Sequence, residues 1–244
     1  MDIIPASLTQ REQFYKKEFD LERLKEWFMK NSIKFPQLMA VDMGTETGII
    51  KDESKKNKLI NIKAVDLRDK FLRYLPEDVY YDRNVYKDPD ILLDTLDFKG
   101  VWDTDNLLGQ QLAFDIDPEN MKCSCDGFCD RCMRSAVQNA VALAERLQDN
   151  FTRIGLVYSG RGMHVHVFDK EAFSLSVGER DSLNAELKDF AIDPWVSRGY
   201  IRLIRLPFSL HGRVSRIVTP LTIKEAVDFD PATDRRILPE FLKD

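Results

Sequence analysis

An α+β fold is predicted for this 244-residue chain: a mixed β-sheet core flanked by helices, with a small cysteine-bearing knuckle. Three observations predict it. Apolar runs of strand length recur between amphipathic stretches, without the regular β-α-β rhythm of a doubly wound sheet. Hydrophobic residues make up 43% and charged residues 32%, the balance of a globular protein large enough for a substantial core. No internal repeat or low-complexity linker divides the chain, so one domain over 1–244 is expected, with an insertion at about 121–133.

Taken in order, Thr9-Gln10-Arg11-Glu12 carries a capping-box pattern. Phe14, Phe19, Leu21, Leu24, Trp27 and Phe28 follow at near-helical spacing with a break near Asp20, and read as core. Residues 38–63 read as a sheet segment, with strands at 38–41, 48–50 and 59–62 and a solvated lysine-rich turn over 51–58. A short helix over 64–75 precedes a strand at 79–81 and a loop at Asp88-Pro89. The clearest amphipathic helix spans 133–150, with Val137, Ala140, Val141, Ala144 and Leu147 on one stripe. Strands at 154–158 and 163–168 are joined by Ser159-Gly160-Arg161-Gly162. A helix over 177–190, a strand region at 200–206 and a short final helix complete the chain.

No run of about 18 apolar residues occurs, and Met1-Asp2-Ile3-Ile4-Pro5 lacks a basic leader, so an intracellular protein without a membrane span is expected. The formal net charge of −5 excludes a protein coated in basic surface, while leaving room for a local patch. One such patch is legible: residues 198–216 hold Arg198, Arg202, Arg205, Arg213 and Arg216 and no acid. All four cysteines, Cys123, Cys125, Cys129 and Cys132, fall within ten residues as C-x-C-x3-C-x2-C. Four thiolates that close together can surround one tetrahedral Zn²⁺ and leave no open position for water, so a structural zinc is expected, with disulfides the alternative.

Three constellations carry chemistry. In Leu112-Ala113-Phe114-Asp115-Ile116-Asp117-Pro118, strand alternation puts Asp115 and Asp117 on one face and Phe114 and Ile116 on the other. The two carboxylates repel, and a divalent metal between them is expected; a strand with an acidic solvent face is the alternative. In Tyr158-Ser159-Gly160-Arg161-Gly162-Met163-His164, two glycines free the backbone to curl while Ser159, Arg161 and His164 supply groups suited to triphosphate oxygens. His166 shares the face of His164 and reads as packed. No Walker A loop, G-x4-G-K-[ST], is present. The third is Asp193, by itself an ordinary helix cap, followed by Arg202-Leu203-Ile204-Arg205-Leu206-Pro207-Phe208-Ser209-Leu210-His211-Gly212. With no acid nearby in sequence, Arg205 and His211 are expected to meet an anion.

The order of these pieces, from about Tyr80 to Asp230, resembles the catalytic (small) subunit of archaeal and eukaryotic DNA primases within the archaeo-eukaryotic primase superfamily. The family's F-D-I-D stands as Phe114-Asp115-Ile116-Asp117, and its Y-S-G-R-x-G-x-H hairpin as Tyr158 to His164, one residue shorter. Its S-x-H-x-K-T-G segment stands as Ser209-Leu210-His211-Gly212-Arg213-Val214. The resemblance implies two catalytic Mg²⁺ or Mn²⁺ ions held by Asp115, Asp117 and Asp193, and a triphosphate gripped by Ser159, Arg161, His164, Arg205 and His211. It implies a nucleotidyltransferase making short primers from NTPs on a single-stranded DNA template, with dNTP use left open. A large primase subunit is the implied partner and the cytoplasm the implied location. The rivals are a gap-filling repair polymerase of the same superfamily and a non-catalytic, zinc-stabilised nucleic-acid-binding module. Three departures stand out. Only 28 residues separate His164 from Asp193, where relatives insert more. The R-E-F motif that brings an arginine beside the site is not evident around Thr45-Glu46-Thr47-Gly48, leaving Arg68 and Arg73 as candidates. Arg213-Val214-Ser215 stands where K-T-G is usual.

Overall fold

A computed structural model describes residues 4–44, 59–93, 105–121 and 129–243. The expected strand at 48–50, the lysine-rich turn, the Thr45-Gly48 region, Cys123 and Cys125 lie outside the described residues. In chain order the elements are α1 (Leu8–Lys17), α2 (Leu21–Lys30), β1 (Leu38–Asp42), β2 (Leu59–Lys63), α3 (Leu67–Tyr74), β3 (Asp78–Asp82), β4 (Asn84–Tyr86), β5 (Leu107–Gln110) and β6 (Ala113–Ile116). There follow α4 (Asp130–Leu147), β7 (Ile154–Tyr158), β8 (Met163–Val167), α5 (Val177–Glu186), α6 (Pro194–Ser197), β9 (Leu203–Arg205), β10 (Leu210–His211), β11 (Arg216–Ile217), β12 (Thr219–Leu221) and α7 (Ile223–Val227).

Local chemistry sets several boundaries. The capping box falls on Ser7 and Gln10, two residues before the expected Thr9: Ser7 Oγ accepts the Gln10 amide at 3.3 Å and Gln10 Oε1 accepts the Ser7 amide at 2.9 Å. That start turns Arg11, Phe14 and Tyr15 into the core. Asp20 ends the first helical run by capping α2, accepting the amides of Glu22 and Arg23, each at 3.0 Å. The helix expected over 177–190 stops at Glu186, and the chain ends in two 3₁₀ turns after α7.

The described strands form two four-stranded sheets, ordered β2-β1-β3-β9 and β12-β7-β8-β6, and two small ribbons, β4-β5 and β10-β11. Every pairing among the described strands is antiparallel, which corrects the expectation of a mixed sheet. The four-residue turn 159–162 folds β7 straight back onto β8, with no crossover helix of the kind parallel pairing requires.

Alternation then decides what each sheet shows to each side. In the first, Met39, Val41, Val79, Tyr81 and Ile204 pack into a core with Phe14, Tyr15, Leu24, Phe28 and Phe71 of α1–α3. Its other face carries Asp42, Asp78, Tyr80, Leu203 and Arg205. In the second, Phe114, Ile116, Leu156, Met163, Val165 and Val167 pack under the Ala136-Ala140-Leu143-Ala144-Leu147 stripe of α4. Its other face carries Asp115, His164 and His166. Two polar faces therefore meet between the sheets. Among the described residues no helix is long and apolar enough to cross a membrane.

Candidate active site

The space between the sheets is a cleft of about 430 Å³, within the usual range for small-molecule sites. Asp115, Asp117, Asp193, Ser159, Arg161, His164, Arg205 and His211 all line it. Eight residues spread over nearly 100 positions of sequence thus share one pocket. Asp115 stands on β6 directly opposite His164 on β8. Asp117 lies just beyond the end of β6. Asp193 is not on a strand: it caps α6, with Oδ1 accepting the Trp195 amide at 2.8 Å. Its own amide donates to the Asp115 carbonyl at 2.8 Å, so the chain before α6 is pinned to the acid strand. Both readings of Asp193, helix cap and cleft carboxylate, hold at once.

The turn between β7 and β8 closes on itself. Ser159 and Gly162 bond through their backbones at 3.0 Å, and Ser159 Oγ accepts the Gly162 amide, also at 3.0 Å. Gly160 adopts φ +97°, in the left-handed region, and a Cβ there would fall 2.6 Å from the His211 Cβ. A Cβ on Gly162 would fall 2.5 Å from the Ile116 carbonyl oxygen and 3.1 Å from Asp117 Oδ1. Gly162→Ala should therefore push the turn off the acid strand, costing about 1–3 kcal/mol. A melting curve unchanged from wild type would show that the backbone tolerates the methyl. Arg161, at the tip, is ion-paired with Glu119.

The electrostatics of the acid cluster are those of like charges out of water. Burial, then Asp117 and Asp193, hold the Asp115 carboxyl well above the usual carboxylate range. Asp117 is raised by burial and by Asp193, with Arg161 and Arg205 pulling the other way. Asp115 Oδ1 is buried and has no hydrogen-bond partner. A buried, repelling carboxylate oxygen in that state fits a divalent cation, which supplies the missing positive charge. Among the described residues, no three His, Cys, Asp or Glu side chains already stand at metal-binding spacing, so the cluster is not a preformed cage. His164 Nε2 lies 3.6 Å from Asp115 Oδ1, but burial first, and then His166 and Arg205, depress its pKa far below the usual value. It is a neutral imidazole, and the contact is not an ion pair. His166 is fully buried among aromatic rings, stacked on Phe168 with centroids 6.0 Å apart.

One expectation is corrected. Arg205 and His211 do have an acid: Asp78 Oδ1 lies 2.5 Å from Arg205 Nη1 and 2.8 Å from His211 Nδ1. Burial alone would raise the Asp78 carboxyl, but Arg205 and then His211 outweigh it and hold it far below its ordinary value. A carboxylate only accepts, so His211 Nδ1 carries the proton. Asp78 sits on β3, which pairs with β9, and nothing near residue 205 in sequence announces it. Asp42, Glu77, Asp78, Tyr80 and Arg213 also line the cleft. Sequence reasoning assigned none of them a role; the acidic Glu77-Asp78 pair before the Val79-Tyr80-Tyr81 strand was the one available signal. Arg68 and Arg73 do not reach the cleft: Arg68 donates to the Lys16 carbonyl at 2.7 Å and Arg73 lies over Tyr74. Ser215, where the resemblance implies a glycine, adopts φ +50° and donates to the Ile4 carbonyl at 2.6 Å. Its left-handed backbone is the conformation a glycine would supply.

Cys129 and Cys132 lie away from the cleft at the start of α4, with their sulfurs 3.4 Å apart; Cys129 caps the helix and Cys132 is buried.

The described residues thus form an α+β domain of antiparallel sheets around one acidic cleft. The fold is similar to that of the polymerase domain of Mycobacterium tuberculosis Ligase D, solved in complex with DNA, with a TM-score of 0.52 and 15% identity over 91% of this chain and 83% of that one. The family model "DNA primase small subunit" matches residues 114–191. A DNA primase small subunit-like protein of Archaeoglobus fulgidus is 40% identical over 98% of this chain and 91% of its own length. The chain belongs to the DNA primase small subunit family. Primase small subunits PriS of Methanobrevibacter smithii (28% identity; 68% of this chain, 47% of that one) and Pyrococcus abyssi (24%; 82% and 58%) are more distant. The chain spans about half the length of these PriS subunits.

Proposed function

We propose that this chain is a primase catalytic subunit, a nucleotidyltransferase joining NTPs into short primers on a single-stranded DNA template. The observation that carries the reading is the charge of the cleft. Among the described residues, six carboxylates, Asp42, Glu77, Asp78, Asp115, Asp117 and Asp193, face three guanidiniums, Arg161, Arg205 and Arg213. That formal surplus of three negative charges repels a triphosphate unless divalent cations enter with it. Asp115, Asp117 and Asp193 would hold two Mg²⁺ or Mn²⁺ ions, which when bound activate the attacking 3′-hydroxyl and offset charge on the phosphates.

The chain's own residues position and stabilise. Arg161 and Arg213 meet phosphate oxygens from the cleft wall. The Ser159 oxygen already accepts an amide, which leaves its hydroxyl proton for a phosphate oxygen. Neutral His164 makes a hydrogen bond without adding charge beside Asp115. Arg205, locked by Asp78 and lying 5.1 Å from the centre of the Tyr80 ring, is a fixed cation for charge growing on the departing pyrophosphate. His211 keeps its Nδ1 proton on Asp78, and its Nε2 donates to a phosphate oxygen once the charge of the bound triphosphate has protonated the ring.

Cys123, Cys125, Cys129 and Cys132 would bind one structural Zn²⁺ at about 121–133 within a single catalytic domain. One zinc per chain by elemental analysis, lost in Cys132→Ser, is the expected result; an unchanged zinc content would remove the assignment. With a net charge of −5, backbone affinity for DNA falls to local cations and to a partner, by family the large primase subunit. Primer synthesis on single-stranded template, with NTPs or dNTPs and with or without a large subunit, tests the whole reading inside its expected intracellular setting. Filling of gapped duplex without primer synthesis would assign repair instead. Absence of any Mn²⁺-dependent stabilisation by NTP would indicate a non-catalytic module.

A further inference from the structure

Arg83 is 2% exposed, and both terminal nitrogens of its guanidinium are spent on backbone carbonyls. Nη1 donates to the Gln111 carbonyl at 2.7 Å, and Nη2 donates to the carbonyls of Val196 at 2.8 Å and Ile201. Burying a guanidinium costs several kcal/mol unless its donors are met, so a chain that keeps one here holds its partners in a defined place. Those partners are not arbitrary. Gln111 leads into the strand bearing Asp115, while Val196 and Ile201 belong to the segment that begins at Asp193 and lines the cleft. Neighbouring groups repeat the arrangement. Gln110 Nε2 donates to the Gly199 carbonyl at 3.1 Å and to Asn84 Oδ1 at 2.7 Å, and the Arg83 amide donates to the Arg202 carbonyl at 2.9 Å. Three carbonyls of the 196–201 segment are thus gripped by two side chains rooted beside the first sheet.

Among the described residues, the backbone hydrogen bond that ties Asp193 to the acid strand is its amide on the Asp115 carbonyl at 2.8 Å. α6 is four residues long and Gly199 adopts φ +91°, so the segment has little regular structure of its own to hold it. We propose that Arg83, seconded by Gln110, is a positioning residue that sets the Asp193 carboxylate against Asp115 and Asp117 and thereby sets the affinity of the cluster for divalent cations. The fork of Arg is needed for this: one planar group reaches carbonyls on both sides, where a lysine ammonium on the same stem reaches one. This inference rests on the metal-binding reading of the three aspartates.

The test is a coupling measurement on the full chain, reading Mn²⁺ binding by electron paramagnetic resonance of the free ion. Arg83→Lys keeps the charge and loses the fork, and should weaken Mn²⁺ binding by about tenfold. Asp193→Asn should weaken it as well. The double variant should bind as Asp193→Asn does alone, because Arg83 acts through that carboxylate. A general loss of stability would instead make the two effects multiply, and that outcome, or unaltered Mn²⁺ affinity in folded Arg83→Lys, overturns the proposal. If Arg83→Lys does not fold, Gln110→Met, which frees the Gly199 carbonyl and Asn84 Oδ1 but leaves the Arg83 contacts in place, carries the same cycle with a smaller shift. Wild-type protein that binds no Mn²⁺, or an Asp193→Asn variant equal to wild type, overturns the metal reading and this inference with it. A primase assay then separates the two: activity that requires Mn²⁺ but ignores Arg83 leaves the proposed function standing.

Discussion

Asp115→Asn is expected to reduce nucleotide transfer at least about 1,000-fold, some 4 kcal/mol of barrier, while making the metal-free protein more stable. The two effects have one origin. About a fifth of the Asp115 side chain opens to the cleft and the rest is buried beside two further carboxylates, so ionising it in the folded state is unfavourable. Its folded pKa is raised, so the native state holds the proton that the unfolded chain releases, and stability falls as pH climbs from the unfolded carboxylate value, about 4, toward the folded one. At neutral pH an isosteric amide removes that penalty, worth about 1 kcal/mol or 2–4 °C in Tm for a chain of this size. Mn²⁺ reverses the ranking: it should raise the melting temperature of wild type and leave the variant unmoved. An unchanged extension rate would take Asp115 out of the reaction, and a lower Tm without metal would show that the carboxylate is internally satisfied.

Much of this site is legible in sequence because its parts obey local rules. Asp115 and Asp117 in an apolar run of period two announce a strand with an acidic face, and Ser159-Gly160-Arg161-Gly162 announces a tight turn wherever it is met. The α4 stripe is visible because Val137, Ala140, Ala144 and Leu147 recur at helical spacing and bury together. The electrostatic partners are not legible, because they are set by register between distant strands. Asp78 meets Arg205 across an antiparallel pairing of β3 and β9, and Asp82 meets Arg202 at 2.5 Å across the same pairing. An arginine-rich stretch without acids in its own sequence therefore reads as an anion site, when three of its five arginines already have an acid partner, Arg202 and Arg205 inside the fold and Arg198 with Asp181 nearer the surface. Arg83 fails to show for a different reason. Its partners are carbonyls, which every residue has, so no pattern of side chains points to it.

Asp78→Ala should be the most destabilising single change in the cleft, at about 3–5 kcal/mol, or a fall in Tm of roughly 10 °C. The Asp78 and Arg205 side chains are only 10% and 15% exposed, and His211 is 4% exposed, so the variant leaves a guanidinium with its counter-charge gone and an imidazole N–H with no acceptor. Asp78→Asn separates the two losses: it keeps an acceptor for His211 and removes only the charge, so it should fall between wild type and Asp78→Ala. The pH dependence carries the sign. The Asp78 carboxyl titrates below its unfolded value because Arg205 and His211 overcome the cost of burial, so its contribution is complete above about pH 5 and declines as pH falls below about 4. The gap between wild type and Asp78→Ala should therefore be constant through neutral pH and narrow in acid. A gap that instead widened in acid would mean that Asp78 is protonated in the native state. Arg205 would then be free to meet substrate unescorted, as the bare sequence of its segment suggests.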